Sequence, residues 1–488
     1  MNFLDHIIQE TISYIQQIPK ELRKPYGQFF TNKETARFMA SLFAIPPQHT
    51  LSILDPGAGT GILSASLLER LQQVPFLSRI QLDCYETDPK VIPLLTENLS
   101  YIQKIYPIPI EYHIITDNYI TSQQADYIAH NTSVLEKYDM ILANPPYQKI
   151  NKISPEAIAM PDILHGTTNR YALFCAMSLA NLKPNGELVY ILPRSWTSGT
   201  YFSRFREKLL SSSILTHIHL FSRRTGLFQT ESIRQETMIL KLKKTNEKPN
   251  TITITTTESS AKFSKKTTHT VPYSLVFSPT HTILPVSNKI EIDTVTTVSS
   301  FTNTLSSLHL PMKTGLVVNF RNQDILRDDE TVNTIPVFYP HHIQNGTIQF
   351  PKSIKQQYLL PIRKGIIQPN ANYLFVKRFT SKEEPRRLQC GIYLKDRFPQ
   401  YPYISTQDKL NFISTSSLVT LFGLYVLFNS TLYDRYYRIL DGSTQINSTE
   451  INQIPVPSLT IIDTMGEILQ TKNSFTTKTC DEILSSYI

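Results

Sequence analysis

A chain of 488 residues has room for two or three domains, each burying a core of ordinary size. No apolar run is long enough to span a bilayer, and the start Met1-Asn2-Phe3-Leu4-Asp5-His6 lacks a basic segment followed by an apolar one, which points to a cytoplasmic protein without membrane partners. The formal net charge of +8 is mild but unevenly spread, which suits a polyanionic partner as well as it suits a merely soluble basic surface. Four widely separated cysteines, Cys84, Cys175, Cys390 and Cys480, argue against a zinc site or a disulfide framework and read as buried thiols.

Leu4, Ile7, Ile8, Ile12, Ile15 and Ile18 recur at helical spacing, so residues 1–24 read as an amphipathic scaffold helix. In the loop Lys24-Pro25-Tyr26-Gly27-Gln28-Phe29-Phe30-Thr31, Thr31 is placed to cap the next helix, with Glu34 completing a capping box. A short buried strand, Leu51–Leu54, then runs into Asp55-Pro56-Gly57-Ala58-Gly59-Thr60-Gly61 and a helix through Leu63, Leu67, Leu68 and Leu71. Strand, glycine turn and helix form the nucleotide-binding first crossover of a doubly wound sheet. No Gly-Lys-Ser/Thr follows, which disfavours nucleoside triphosphate hydrolysis.

The strand Gln81–Tyr85 ends in Glu86, an acid placed to accept both hydroxyls of a ribose. After a helix near 89–105, the strand Tyr112–Ile115 delivers Asp117, which is placed to accept an adenine amine or to cap a turn. The apolar run Tyr138–Ala143 stops at Asn144-Pro145-Pro146-Tyr147. Two prolines cannot continue a ladder, so this is a buried strand ending in a rigid loop that offers an amide, a free carbonyl on Pro145 and an aromatic face. Such a set suits a planar amine whose lone pair is to be aimed at an electrophile; taken alone, the four residues are equally an ordinary turn.

A polar loop, 148–168, precedes a helix Asn169–Leu182, a strand Glu187–Leu192, a helix Tyr201–Leu210 and the strands Leu215–Leu220 and Glu236–Lys243, with Phe228 in the loop before the last. The fold expected is α/β: a Rossmann-like, mostly parallel sheet of seven strands with helices on both faces, over residues 1–245. Residues 246–310, rich in Ser and Thr, read as a connector with short strands such as Thr251–Ile254. Residues 311–488 read as a mixed α+β domain that includes one long helix, Leu418–Leu440. Within it, Lys377, Arg378, Lys382, Arg386 and Arg387 interleave with aromatics and hydroxyls as a phosphate-backbone contact would, and Lys352, Arg363, Lys364, Lys395 and Arg397 extend the patch.

Taken together, Gly27 to Thr31, Asp55 to Gly61, Glu86, Asp117 and Asn144 to Tyr147 resemble the ordered motifs of the gamma-class DNA N6-adenine methyltransferases, and the region after 311 resembles the recognition half of PstI- and BsuBI-like modification methylases. The resemblance implies S-adenosyl-L-methionine over the Asp55–Gly61 loop and Asn144, with Glu86 on the ribose, Asp117 on the adenine amine and Thr31 near the methionine end. It implies a target adenine flipped out of double-stranded DNA between Tyr147 and Phe228, its amine held by Asn144 and the Pro145 carbonyl, with Pro146 fixing the loop. It further implies protection of DNA from a separately encoded restriction endonuclease; the oligomeric state stays open, a monomer being favoured. Transfer would be direct, since no Pro-Cys nucleophile is present. Release-factor glutamine methyltransferases share Asn-Pro-Pro-Tyr but need no large second domain; an RNA adenine methyltransferase and a non-catalytic DNA-binding specificity subunit are the other readings.

Overall fold

The alternation of apolar runs and helical periodicity folds largely as read. Helix α1 (Phe3–Gln17) and α2 (Lys33–Ser41) precede β1 (Thr50–Asp55), α3 (Ile62–Leu71), β2 (Arg79–Tyr85), α4 (Ile92–Ile105), β3 (Ile110–Ile115) and β4 (Tyr138–Ala143). Helix α5 (Arg170–Asn181), β5 (Leu182–Pro193), α6 (Ser203–Ser212), β6 (Ile214–Phe221) and β7 (Thr237–Lys243) follow. The computed structural model describes residues 2–17, 30–166, 168–222, 236–247, 249–260, 263–278, 282–381, 383–442, 444–472 and 474–488. Gly27, Gln28, Phe29, Phe228 and Lys382 lie outside the described residues.

The sheet has nine strands rather than seven, because β8 (Thr251–Thr257) and β9 (Thr267–Pro272) extend it to the order β9-β8-β6-β7-β5-β4-β1-β2-β3. Strand β8 pairs parallel to β6 through register pairs such as Ile254 with Ile218, and β9 turns back antiparallel on β8. Alternating threonine and isoleucine hid this: Ile252 and Ile254 are buried, and Thr255 and Thr257 are buried too, hydrogen-bonded to His217 and His219 of β6. Residues 246–310 are therefore not one connector; the chain divides into units Met1–Ser287 and Asn288–Ile488.

Strand β4 is buried at all six positions because it sits inside the sheet, between β1 and β5. The strand order reverses beside it: β1 leads outward to β2 and β3, whereas β4 leads the other way. Loops leaving the carboxyl ends of β1 and β4 therefore diverge and leave a crevice, the usual ligand position in a doubly wound sheet.

In the second unit, α7 (Lys289–Ser299) precedes a six-stranded sheet whose four inner strands are Leu410–Ser414, Tyr373–Lys377, Cys390–Tyr393 and Thr347–Ile348, and a five-stranded sheet. The expected long helix is two, α8 (Leu418–Asn429) and α9 (Thr431–Leu440), because Ser430 takes extended backbone and its hydroxyl accepts the amide of Tyr433 at 3.3 Å. Helices α10 (Leu459–Lys472) and α11 (Thr477–Leu484) complete it, and α8 crosses α10 at glycines. A Cβ on Gly423 would stand 1.9 Å from the carbonyl oxygen of Ile462, and one on Gly466 as close to that of Val419.

Candidate active site

The crevice holds a cavity of about 340 Å³. Its floor is the β1–α3 loop, Pro56 to Thr60; Thr31, Glu86, Asn118, Asn144, Pro146, Glu156, Arg170 and Phe174 wall it. Gly59 and Gly61 hold positive φ, +54° and +87°, and the second starts α3 where a Cβ would come within 3.1 Å of Leu95. Glycine is thus required by the backbone here, which lets the loop lie flat beneath a ligand.

Asp55, at the end of β1, is buried and accepts a hydrogen bond from the Ser64 hydroxyl at 2.8 Å. Burial raises its carboxyl to about 7, against the lowering by Ser64 and the Gly57 amide. Glu86 ends β2 as expected, and its two oxygens accept the amides of Gly59 at 2.9 Å and of Thr87 and Asp88 at 2.8 Å. Burial raises this carboxyl too, and the same three amides oppose the rise.

Asn144 leaves β4 facing the loop. Its Nδ2 donates to the Thr31 hydroxyl at 3.2 Å and its Oδ1 accepts the Tyr147 hydroxyl at 2.9 Å. Thr31 therefore serves the site and is not the helix cap: Asn32 caps α2, its side chain accepting the Thr35 amide at 2.8 Å. Tyr147 departs from the expected open aromatic face. Its ring is 8% exposed, edge-on to Tyr171, and its hydroxyl is also within 3.2 Å of the Ile191 carbonyl. The hydroxyl needs those acceptors once buried, and that need draws the ring inward.

Asp117 is exposed and does not wall the cavity; its neighbour Asn118 does. Asn118 Nδ2 donates to Glu156 Oε1 at 3.2 Å, Arg170 pairs with the same oxygen at 3.2 Å, and Arg170 also donates to Gln148 at 2.7 Å. Glu156, Arg170 and Phe174 escaped the sequence reading. The stretch expected to be a polar loop, 148–168, contains a short helix, Pro155–Ala159, capped by Ser154, a start that Ser154-Pro155 could have marked; nothing there marks which acid turns inward. Phe174 lies in a helix buried on every side and reads as core.

In the second unit, Arg387 is fully buried, its Nε donating to Thr380 and its guanidinium over the Tyr437 ring, and Arg386 donates to the carbonyls of Phe428 and Ser430. These two were expected on DNA and instead hold the unit together. Lys377 and Arg378 are half-exposed, and Arg378 donates to the Asp408 carbonyl at 2.8 Å.

Sequence comparison decides the family. The chain is 32% identical over 460 residues to the type II methyltransferase M.BsuBI of Bacillus subtilis, covering 90% of this chain and 89% of that one. The chain belongs to the type II restriction-modification methyltransferases. This methyltransferase is also 29% identical over 494 residues to M.PstI of Providencia stuartii, covering 97% of this chain and 96% of that one. The model of the Eco57I restriction-modification methylase matches residues 79–228, from β2 to the segment before β7. In fold, this methyltransferase is similar to the type IIL restriction-modification enzyme MmeI in complex with DNA, at 13% identity and a TM-score of 0.56, over 99% of this chain and 74% of that one. Its substrate is accordingly DNA, within a restriction-modification system.

Proposed function

We propose that this methyltransferase methylates the N6 amine of an adenine extruded from double-stranded DNA, at one sequence, and so protects that sequence from a separate cognate endonuclease. The observation that carries the reading is that Asn144, at the end of β4, shares one cavity with the glycine loop and Glu86. A cytosine C5 methyltransferase needs a thiol nucleophile, and the four cysteines are buried in the two cores.

The cavity fits S-adenosyl-L-methionine: a glycine floor that a Cβ would fill, an acid at the end of β2 for ribose hydroxyls and the Phe174 ring for a purine face. When bound there, that cofactor supplies an electrophilic methyl group on a sulfonium. Glu86 would bind the ribose, Thr31 and Gly57 would lie along the amino-acid end, and Asn118 takes the place expected of Asp117 beside the adenine. Asp55 lies at the start of the loop, where its carboxyl accepts the Ser64 hydroxyl and so ties the loop to α3.

The chain's own chemistry is positioning. Thr31 takes an amide hydrogen of Asn144 and the Tyr147 hydroxyl donates to its Oδ1, which together fix the plane of the amide. On this reading the Asn144 Oδ1 and the Pro145 carbonyl accept the two amine hydrogens of the base, which holds the nitrogen lone pair clear of the ring for attack. The Tyr147 side chain is, on this reading, the aromatic beside the base. Sequencing DNA from a methylation-free bacterial host expressing the protein tests the reading: N6-methyladenine in one motif is expected, and N4-methylcytosine or no modified motif would overturn it.

A further inference from the structure

Far along the chain from the cavity residues, the second unit bears an apolar tip. Phe320 is 71% exposed and Ile362 is 70% exposed, and the two turns that carry them are tied together: Arg363 donates to the Arg321 carbonyl at 3.3 Å, to Asn322 Oδ1 at 2.8 Å and to Asp324 Oδ2 at 2.8 Å. The base of this protrusion is braced. Asn319 Nδ2 donates to the Tyr339 hydroxyl and to Gln356 Oε1, each at 2.9 Å, while its Oδ1 accepts Gln407 Nε2 at 3.0 Å. Exposure of Phe320 is thus built into a pinned one-turn helix, Asn319–Arg321, and costs the free protein contact between a large ring and water.

Cations stand next in sequence to both apolar side chains. Arg321 and Lys364 are exposed, with the Arg321 guanidinium 5.3 Å from the Phe320 ring centroid, and Asp324 is neutralised by Arg363. Of the acids that follow, Asp328 accepts the Gln356 amide at 2.8 Å and Glu330 the Tyr401 hydroxyl at 2.6 Å, and Asp329 between them is exposed. A rigid apolar side chain flanked by cations is what a protein needs to part a base step while holding the phosphates on either side.

We propose that this protrusion is a wedge that enters the DNA duplex, with Phe320 and Ile362 against an opened base step and Arg321 and Lys364 on the flanking phosphates. The proposal rests on DNA being the substrate. Duplexes bearing the motif read from the methylated genome, with 2-aminopurine placed in turn at each position that does not adjoin the target base, provide the test. Phe320→Ala is expected to lose the fluorescence rise that wild-type protein produces and to bind the site at least tenfold more weakly, while Phe320→Leu restores most of both. Arg321→Ala with Lys364→Ala is expected to weaken binding to all sequences and to make the dependence of log affinity on log salt shallower by about two. Phe320→Ala protein that matches wild type within twofold in binding and fluorescence overturns the wedge alone. Wild-type protein that leaves every DNA unmethylated overturns the reading beneath it.

Discussion

Asn144 reaches its position by being held at both ends of its amide, by Thr31 and by Tyr147. Replacing it with alanine removes the acceptor proposed for the substrate amine, and a loss of about 100-fold or more in turnover is expected, with cofactor affinity nearly unchanged. The two functions given to Tyr147 separate experimentally. Tyr147→Phe deletes the hydroxyl that orients Asn144 and should cost about tenfold in turnover, the range of one hydrogen bond of about 1.4 kcal/mol; Tyr147→Ala should cost more because the aromatic surface goes as well. Equal losses in the two variants would assign everything to the hydroxyl. Asp55 makes a pH prediction. Burial holds its carboxyl at about 7, above its ordinary value, so the neutral form is favoured by folding. Its contribution to stability is complete below the ordinary carboxylate range and is lost as pH rises through about 7. The melting temperature of the free protein should fall between about pH 5 and pH 8 more steeply than that of Asp55→Asn, and parallel curves would refute the assignment.

Elements place these residues, and they were unevenly legible. The glycine turn after β1 and the proline stop after β4 could be read because each breaks a buried apolar run with residues that strands tolerate poorly, and Glu86 because it ends the next strand after the glycine turn. Helix α3 and the neighbouring strands followed, since parallel strands buried on both faces are continuously apolar. The β8–β9 hairpin was hidden by threonine, whose strand preference gives no hydrophobic contrast, and the α8–α9 break by the single hydroxyl cap at Ser430. Glu156 and Arg170 were beyond reach because an ion pair spanning 14 positions leaves no local pattern. The α8–α10 crossing gives a prediction of its own. With backbone 1.9 Å from any added Cβ, Gly423→Ala should destabilise the fold by about 3 kcal/mol, seen in denaturant unfolding, whereas Gly365→Ala, where open space surrounds the Cβ, should not.

At the scale of the molecule, charge does two jobs that sequence alone ran together. Arg387 is buried between Thr380, Asp441 and Tyr437, so Arg387→Ala should lower unfolding free energy by about 3 kcal/mol, and soluble folded protein with unchanged stability would contradict that role. Lys377→Ala with Arg378→Ala should instead leave the fold intact, weaken binding to all DNA sequences alike and flatten its salt dependence. None of this matters unless adenine is the target. The most direct measurement is therefore single-molecule sequencing of genomic DNA from a methylation-free host expressing either the wild-type chain or Asn144→Ala. N6-methyladenine at one motif in the first and its absence in the second is the predicted result. An unmodified genome from the wild type, or the same methylated motif at the same density from Asn144→Ala, would contradict the central claim.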